Sequence, residues 1–201
     1  MPPDKRRLRV VCADDEEDIR DLLCHLLRAA GYEVVGAATN GHDLIAQALE
    51  TDPDVVVTDI MMPDMNGLEA AHQIYEHKPL PIIILSGRGD EEMIKQGVAT
   101  QAMGYLVKPI RLEQLQAVMA YAVARFEQLQ QSQQESAEAR QALTERKIIE
   151  RAKGLIMKKA GLDEATAYQR LHTAARKRQV KVAALAAEII AGFEALWPNG
   201  A

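Results

Sequence analysis

Five short runs rich in valine and isoleucine, separated by stretches of helical periodicity, constrain this chain most. They are LRVVCA at 8–13, EVVGA at 33–37, DVVVTD at 54–59, PIIIL at 81–85 and GYLV at 104–107. Each is bounded by Gly, Pro, Asp or Asn, as expected for strands of a parallel sheet covered on both faces. Between the first two runs, Ile19, Leu22, Leu23, Leu26 and Leu27 recur at three- and four-residue steps, and Gly31 ends the stretch. Five strands alternating with five helices predict a doubly wound α/β domain with a five-stranded parallel sheet.

Beyond this region the pattern changes. No proline occurs between Pro109 and Pro198, and only Gly154 and Gly161 interrupt before Gly192. Residues 111–160 therefore read as one helix. Leu115, Ala122, Leu129, Ser136 and Leu143 recur every seven residues, interleaved by Met119, Phe126, Gln133 and Arg140. This predicts a self-associating heptad seam, apolar at its start and polar in its middle. The Gln-rich stretch 127–141 lacks Gly and Pro and reads as a stiff helical spacer. Three short helices close the chain: one ending at Ala160, one opening after Asp163, and one from about Val182 to Leu196. Their Ala-rich core is small enough to need the long helix or a partner chain. The expected divisions are 1–125, a helical linker at 126–143, and a three-helix domain at 144–201.

Composition narrows the function. At 48% hydrophobic and 26% charged, the 201 residues fit soluble globular domains rather than a disordered tail. The longest apolar run, near Leu80 to Leu85, is far short of a membrane span, and the N-terminus has no signal-length apolar region, so a cytoplasmic location is expected. Cys12 and Cys24 have no metal-like spacing and are expected to be reduced thiols. The five histidines have none either. The net charge of −5 is unevenly spread: residues 1–125 hold 12 basic against 20 acidic side chains, residues 144–201 hold 11 against 6. An acidic first part and a basic last part suggest two tasks, although charge alone fits a solvated surface equally well.

The acidic task has a location. In an open parallel sheet, ligands sit outside the carboxyl ends of the strands. Asp14 and Asp15 follow the first run, Asp59 ends the third, Ser86 follows the fourth and Lys108 the fifth. Crowded carboxylates call for a cation, and an all-oxygen site of few carboxylates suits Mg²⁺. With Lys108 beside it, the arrangement suits an anionic phosphoryl group, with Asp59 as acceptor. Glu16, Glu17 and Asp18 favour the positive end of the first helix, and Asp64 and Asn66 read as turn and cap residues.

The run DIMMPDMNG (Asp59 to Gly67), with Asp14-Asp15, Ser86 and YLVKP (Tyr105 to Pro109), resembles the receiver domain of bacterial response regulators over about residues 7–125. The resemblance implies a flavodoxin-like fold, Asp59 as phospho-acceptor and a sensor histidine kinase as donor. It implies Mg²⁺ on Asp15, Asp59 and the Met61 carbonyl, with Asp14 acting through water. It further implies Lys108 on the phosphoryl group, Ser86 and Tyr105 as the switch pair, a cis Lys108–Pro109 peptide, and no separate enzymatic activity.

Glu145 to Ile190 resembles the ANTAR module, a transcription antitermination domain that binds RNA. The matching marks are Ile148-Ile149, Ala152-Lys153-Gly154, Met157, Gly161-Leu162, Ala167-Tyr168, Leu171 and Ala174-Ala175. Where relatives often carry Ser or Thr before the last helix, this chain has Val180-Lys181. The resemblance implies paired RNA stem-loops as target. Candidate RNA contacts are Lys153, Gly154, Tyr168, Arg176, Lys177 and Arg178. Tyr168 suits stacking on an unpaired base and covering the small core equally. A homodimer is expected on phosphorylation. Competing readings are a DNA-binding regulator, disfavoured because the last two helices offer no convincing recognition helix, the final one being mostly Ala, Ile and Leu with one Lys and two Glu, and an adaptor whose tail binds protein. A haloacid-dehalogenase-type phosphohydrolase is disfavoured because Met61 stands where a second acid is needed.

Overall fold

The computed structural model describes residues 6–87 and 102–196. The helix expected between the fourth and fifth strands falls outside the described residues. The chain divides into two compact units, Met1–Gln130 and Gln131–Ala201.

In the first unit β1 (Arg9–Ala13), β2 (Glu33–Ala38), β3 (Val55–Asp59), β4 (Ile82–Ser86) and β5 (Ala102–Val107) form one sheet in the order β2-β1-β3-β4-β5. All neighbours pair in parallel. The helices α1 (Glu17–Ala29), α2 (Gly41–Thr51) and α3 (Gly67–His77) follow β1, β2 and β3. Side chains alternate strictly between two buried layers. Val11, Ala13, Val56, Ile82 and Ile84 pack with Leu44 of α2 and Leu68 and Ile74 of α3. Val10, Cys12, Val57, Ile83 and Leu85 pack with Leu23 and Leu27 of α1. Every residue of β3 and β4 is buried, which explains why those runs carry no polar–apolar alternation.

Two expectations need correction. Leu22 belongs to the helical stripe by spacing but is exposed; the buried residues of α1 are Leu23, Cys24 and Leu27. The start of the heptad pattern also has a different cause. The helix α4 (Leu112–Ala160) opens after β5, and its Leu115, Met119 and Ala122 are fully buried in the α1 layer of the sheet. These residues hold the helix to its own domain. From Phe126 onward the pattern is free of that role: Phe126 and Leu129 are half-buried, residues 131–140 are all exposed, and Leu143 is exposed. This middle stretch is supported locally, by i,i+4 bonds from Gln131 to Glu135, Gln134 to Glu138 and Gln141 to Glu145.

In the second unit α4 ends at Gly161, whose φ of 65° lets its N–H and that of Leu162 both reach the Met157 carbonyl. The side chain of Asp163 caps α5 (Glu164–Arg178) by accepting from the Thr166 N–H. α6 (Val182–Leu196) completes the unit. Its core is Ala152 of α4, Leu171 and Ala175 of α5, and Leu185, Ala186 and Ile190 of α6, flanked by Ile148, Ile149 and Leu155. The long helix is thus an integral wall of this core.

The two roles of α4 separate by mutation. Met119→Ala should destabilise the first unit by about 3 kcal/mol, the usual cost of a buried large-to-small change, whereas Leu143→Ala should change stability by under about 0.5 kcal/mol. Urea unfolding of the full chain reads both; equal effects would contradict this division.

Candidate phosphoryl site and basic face

Strand register brings the acidic residues together. Ala13 pairs with Thr58, Asp59 with Leu85, and Ser86 with Val107, so β1, β3, β4 and β5 end at one edge. Asp14 and Asp15 leave β1 there, Asp59 and Ser86 are the last residues of β3 and β4, and Lys108 follows β5. The Lys108 N–H donates to the Ser86 carbonyl at 2.9 Å, tying the last two strand ends. The Lys108–Pro109 peptide is cis.

The centre of the site is the Lys108 ammonium. Its Nζ lies 2.8 Å from Asp14 Oδ2 and 2.9 Å from Asp59 Oδ1. Asp14 is fully buried and Asp59 nearly so, while Asp15 is exposed. The Glu16 N–H donates to Asp14 Oδ1 at 3.1 Å and the Met61 N–H to Asp59 Oδ2 at 3.2 Å. From α1, Arg20 donates to the Asp14 carbonyl. Burial pushes the Asp59 pKa up, further aided by the Asp14 charge, and outweighs the lowering by Lys108 and the Met61 N–H. Burial alone would depress Lys108, but its bonds and charge contacts with Asp14 and Asp59 prevail and raise it.

One lysine does not balance three acids. Carboxylate oxygens of Asp14, Asp15 and Asp59 lie within 4.8 Å of one another. At that separation and an effective dielectric near 20, each like-charged pair repels by roughly 3 kcal/mol. The donor set is oxygen only and sits at a solvent-reaching edge, so it fits a hard divalent cation.

The loop after Asp59 is held by close backbone approach. The Gly67 N–H donates to the Ile60 carbonyl at 2.9 Å, and Asn66 caps α3 by accepting from the Glu69 N–H. A Cβ built on Gly67 would stand 1.7 Å from the Asp59 carbonyl oxygen. Asp64 takes a φ of 66° in the same turn. Ser86 is buried, whereas Tyr105 is partly exposed on β5, near the exposed Val107.

Among the described residues, some basic side chains of the second unit face carboxylates and others are exposed. Lys153 is only 7% exposed, with its Nζ 2.7 Å from Glu164 and 2.5 Å from Glu150. It clasps α5 to α4 and is poorly placed to touch RNA. Arg178 pairs with Glu188 at 2.8 Å, and Arg151 pairs with Glu194. Arg176 and Lys177 are exposed, as are Arg170 and Lys181. These four lie opposite the buried Ala167, Leu171 and Ala175 or at the turn after α5. His172, Thr173, Arg176, Val180 and Lys181 line a hollow of about 540 Å³. Tyr168 is exposed, its ring centroid 4.2 Å from that of His172, so it does not cover the core. Gly154 is exposed and a Cβ there would meet nothing, so no close helix packing requires it. Sequence spacing alone did not mark His172 or the hollow, because both depend on how α5 turns into α6.

Gly67→Ala tests the geometry of the acidic loop. The added methyl must displace the Asp59 backbone, so a loss of about 2–3 kcal/mol is expected in urea unfolding, in the range of overpacking. An unchanged midpoint would mean that the loop relaxes freely.

Comparison with known proteins assigns both units. The family model of the response regulator receiver domain matches residues 10–120, and that of the ANTAR domain matches residues 137–190. The transcriptional regulatory protein PdtaR of Mycobacterium tuberculosis is 34% identical over 182 residues, covering 90% of this chain and 89% of its own length. The chemotaxis protein CheY of Thermotoga maritima is 38% identical over 104 residues, 51% of this chain and 87% of that protein. Among solved structures, the chemotaxis protein CheY4 of Vibrio cholerae superposes with a TM-score of 0.53 at 32% identity, covering 58% of this chain and 98% of that one. A receiver domain protein from Clostridium thermocellum gives 0.56 at 29%, covering 61% and 98%. With an acidic, lysine-bridged edge on a five-stranded parallel sheet in the first unit and a basic helical unit later in the sequence, the chain belongs to the response regulators: a non-enzymatic, phosphorylation-controlled receiver joined to an ANTAR RNA-binding output domain.

Proposed function

We propose that Asp59 accepts a phosphoryl group from a sensor histidine kinase and that this controls antitermination through RNA bound by the last three helices. The division of labour is 1–125 as receiver, 126–143 as helical linker and 144–201 as output. The observation that carries the reading is the Lys108 ammonium held between Asp14 and Asp59 where the strands end. A carboxylate oxygen of Asp59 attacks the phosphorus of the phosphohistidine, the P–N bond breaks, and the imidazole nitrogen takes a proton. Lys108, already within reach of Asp59, neutralises the oxygens of the transferred group. Asp14, Asp15, Asp59 and the Met61 carbonyl are the groups to hold Mg²⁺, which when bound supplies the positive charge that the three acids and the phosphoryl oxygens require. Ser86 and Tyr105 act as the switch pair: the buried hydroxyl moves toward the phosphoryl oxygen and the partly exposed ring follows. No described helix is long and apolar enough to cross a membrane, and the proposed location is the cytoplasm.

Labelling tests the acceptor. Treated with a small phosphodonor and Mg²⁺, the protein should carry its adduct on Asp59, and Asp59→Asn should abolish labelling. Full labelling of that variant would overturn the assignment.

The output reading rests on the exposed cations. Arg176 and Lys177 are the best-placed of the named RNA contacts, and exposed Tyr168 suits stacking on an unpaired base. Arg178 and Gly154 are accessible, while Lys153 acts within the module. Phosphorylation promotes a homodimer through α4 beyond the receiver core, around Phe126 and Leu129. A seam this polar associates weakly, so a shift of a few kcal/mol is enough to move its population. Two modules joined in a dimer then bind paired stem-loops with a gain from effective concentration.

Light scattering and RNA affinity at one fixed salt, with and without phosphodonor, test the coupling. Phosphorylation should raise mass and affinity together, and Leu129→Lys should remove both gains. Higher affinity in a protein that stays monomeric on RNA would exclude the dimer mechanism.

A further inference from the structure

Two cysteines that neither task uses lie against each other beneath α1. Cys12 is fully buried on β1, Cys24 is on α1 and 6% exposed, and both are free thiols. Their Sγ atoms are 3.5 Å apart. The contact is fixed by the strand, not by a loop: Cys12 faces the same layer as Val10, Leu23 and Leu27, with Leu85 and Met119 in the same cluster. Its neighbours Val11 and Ala13 face the opposite layer.

We propose that Cys12 and Cys24 form a site of reversible oxidation, where a hydroperoxide closes an intramolecular disulfide between β1 and α1. The two sulfurs have unequal surroundings, as such chemistry requires. Cys24 is the less buried of the two, 6% exposed against 0% for Cys12, and the two sulfurs share a hydrogen bond, with Arg28 and Arg20 near Cys24. These influences outweigh its burial and lower its pKa to about 7. Cys12 has no solvent access and is the resolving thiol. The Cys24 thiolate attacks one peroxide oxygen, the O–O bond breaks, and the departing oxygen takes a proton, leaving a sulfenic acid. The Cys12 sulfur then attacks the Cys24 sulfur, the S–O bond breaks, and hydroxide leaves as water with the Cys12 proton. Two thiols and hydrogen peroxide thus give one disulfide and two waters, with sulfur oxidised and peroxide reduced. A disulfide needs the sulfurs at about 2 Å, so they must close by roughly 1.5 Å. A thiol reductant reverses the bridge by exchange.

The bridge would join a strand and helix that already meet at the acidic site, where Arg20 of α1 donates to the Asp14 carbonyl at 2.9 Å. Cys12 stands two residues before Asp14. The oxidation site therefore lies in the framework of the receiver rather than at a disposable surface.

The full-length protein, reduced and then exposed to hydrogen peroxide, is alkylated without reductant, weighed and digested. The expected product is a monomer lighter by two hydrogens, with one peptide pair joining Cys12 to Cys24, restored by dithiothreitol. Its circular dichroism should match that of the reduced protein. Cys12→Ser should stop at a sulfenic acid on Cys24, trapped by dimedone. Two free thiols after peroxide, bridging only between chains, a bridge that forms only with loss of the native spectrum, or no trapping in the Cys12 variant would each overturn the proposal. Mapping of the unsubstituted protein decides the matter even if the variant fails to fold.

Discussion

The Lys108 ammonium between two buried carboxylates is the interaction on which the first unit's design turns. Burying Asp14 and Asp59 without an opposite charge would be strongly unfavourable, and removing one partner of such a cluster typically costs about 3–5 kcal/mol. Everything around it serves that geometry. Parallel pairing brings four strand ends to one edge, Gly67 lets the β3 loop fold directly against the Asp59 backbone, and Arg20 fixes the Asp14 main chain. The cluster is still short of positive charge. A site built with this deficit is ready to take up a cation and, with it, a further anion.

The second unit solves a different problem. Its core of six small or medium apolar side chains, Ala152, Leu171, Ala175, Leu185, Ala186 and Ile190, is too slight to stand securely alone. The chain answers by giving the last turns of α4 to both purposes: Ala152 enters the core while Lys153 binds carboxylates on α4 and α5. A buried lysine with two acids holds a geometry more than it adds stability.

Much of the fold was legible because its physics is local. Runs such as VVVTD and PIIIL could be read as buried strands, and the Asp163 cap and Gly161 stop marked helix ends within a residue. The acidic cluster was legible at one remove, since strand ends of a parallel sheet share an edge. What the sequence concealed depends on contacts between distant residues. Heptad spacing cannot tell whether Leu115 and Met119 face a second chain or the same chain's sheet, and here it is the sheet. A lysine count cannot tell that Lys153 is enclosed by Glu150 and Glu164, because Glu164 lies on another helix. Leu22 fits the apolar stripe and is nevertheless exposed, since the sheet covers a narrower arc of α1 than the spacing suggests.

The internal ion pairs of the second unit also bear on how it would sense its ionic surroundings. Residues 144–201 hold 11 basic side chains against 6 acidic, yet Lys153, Arg151 and Arg178 already face carboxylates of their own unit. Each cation neutralised from within has no condensed counterion to displace from a polyanion. The entropic return from ion release, which scales with the number of phosphates newly neutralised, therefore follows residues such as Arg170, Arg176, Lys177 and Lys181 rather than the formal total. The module would behave toward salt as a smaller cation than its sequence suggests, leaving proportionally more of its discrimination to shape and base contacts.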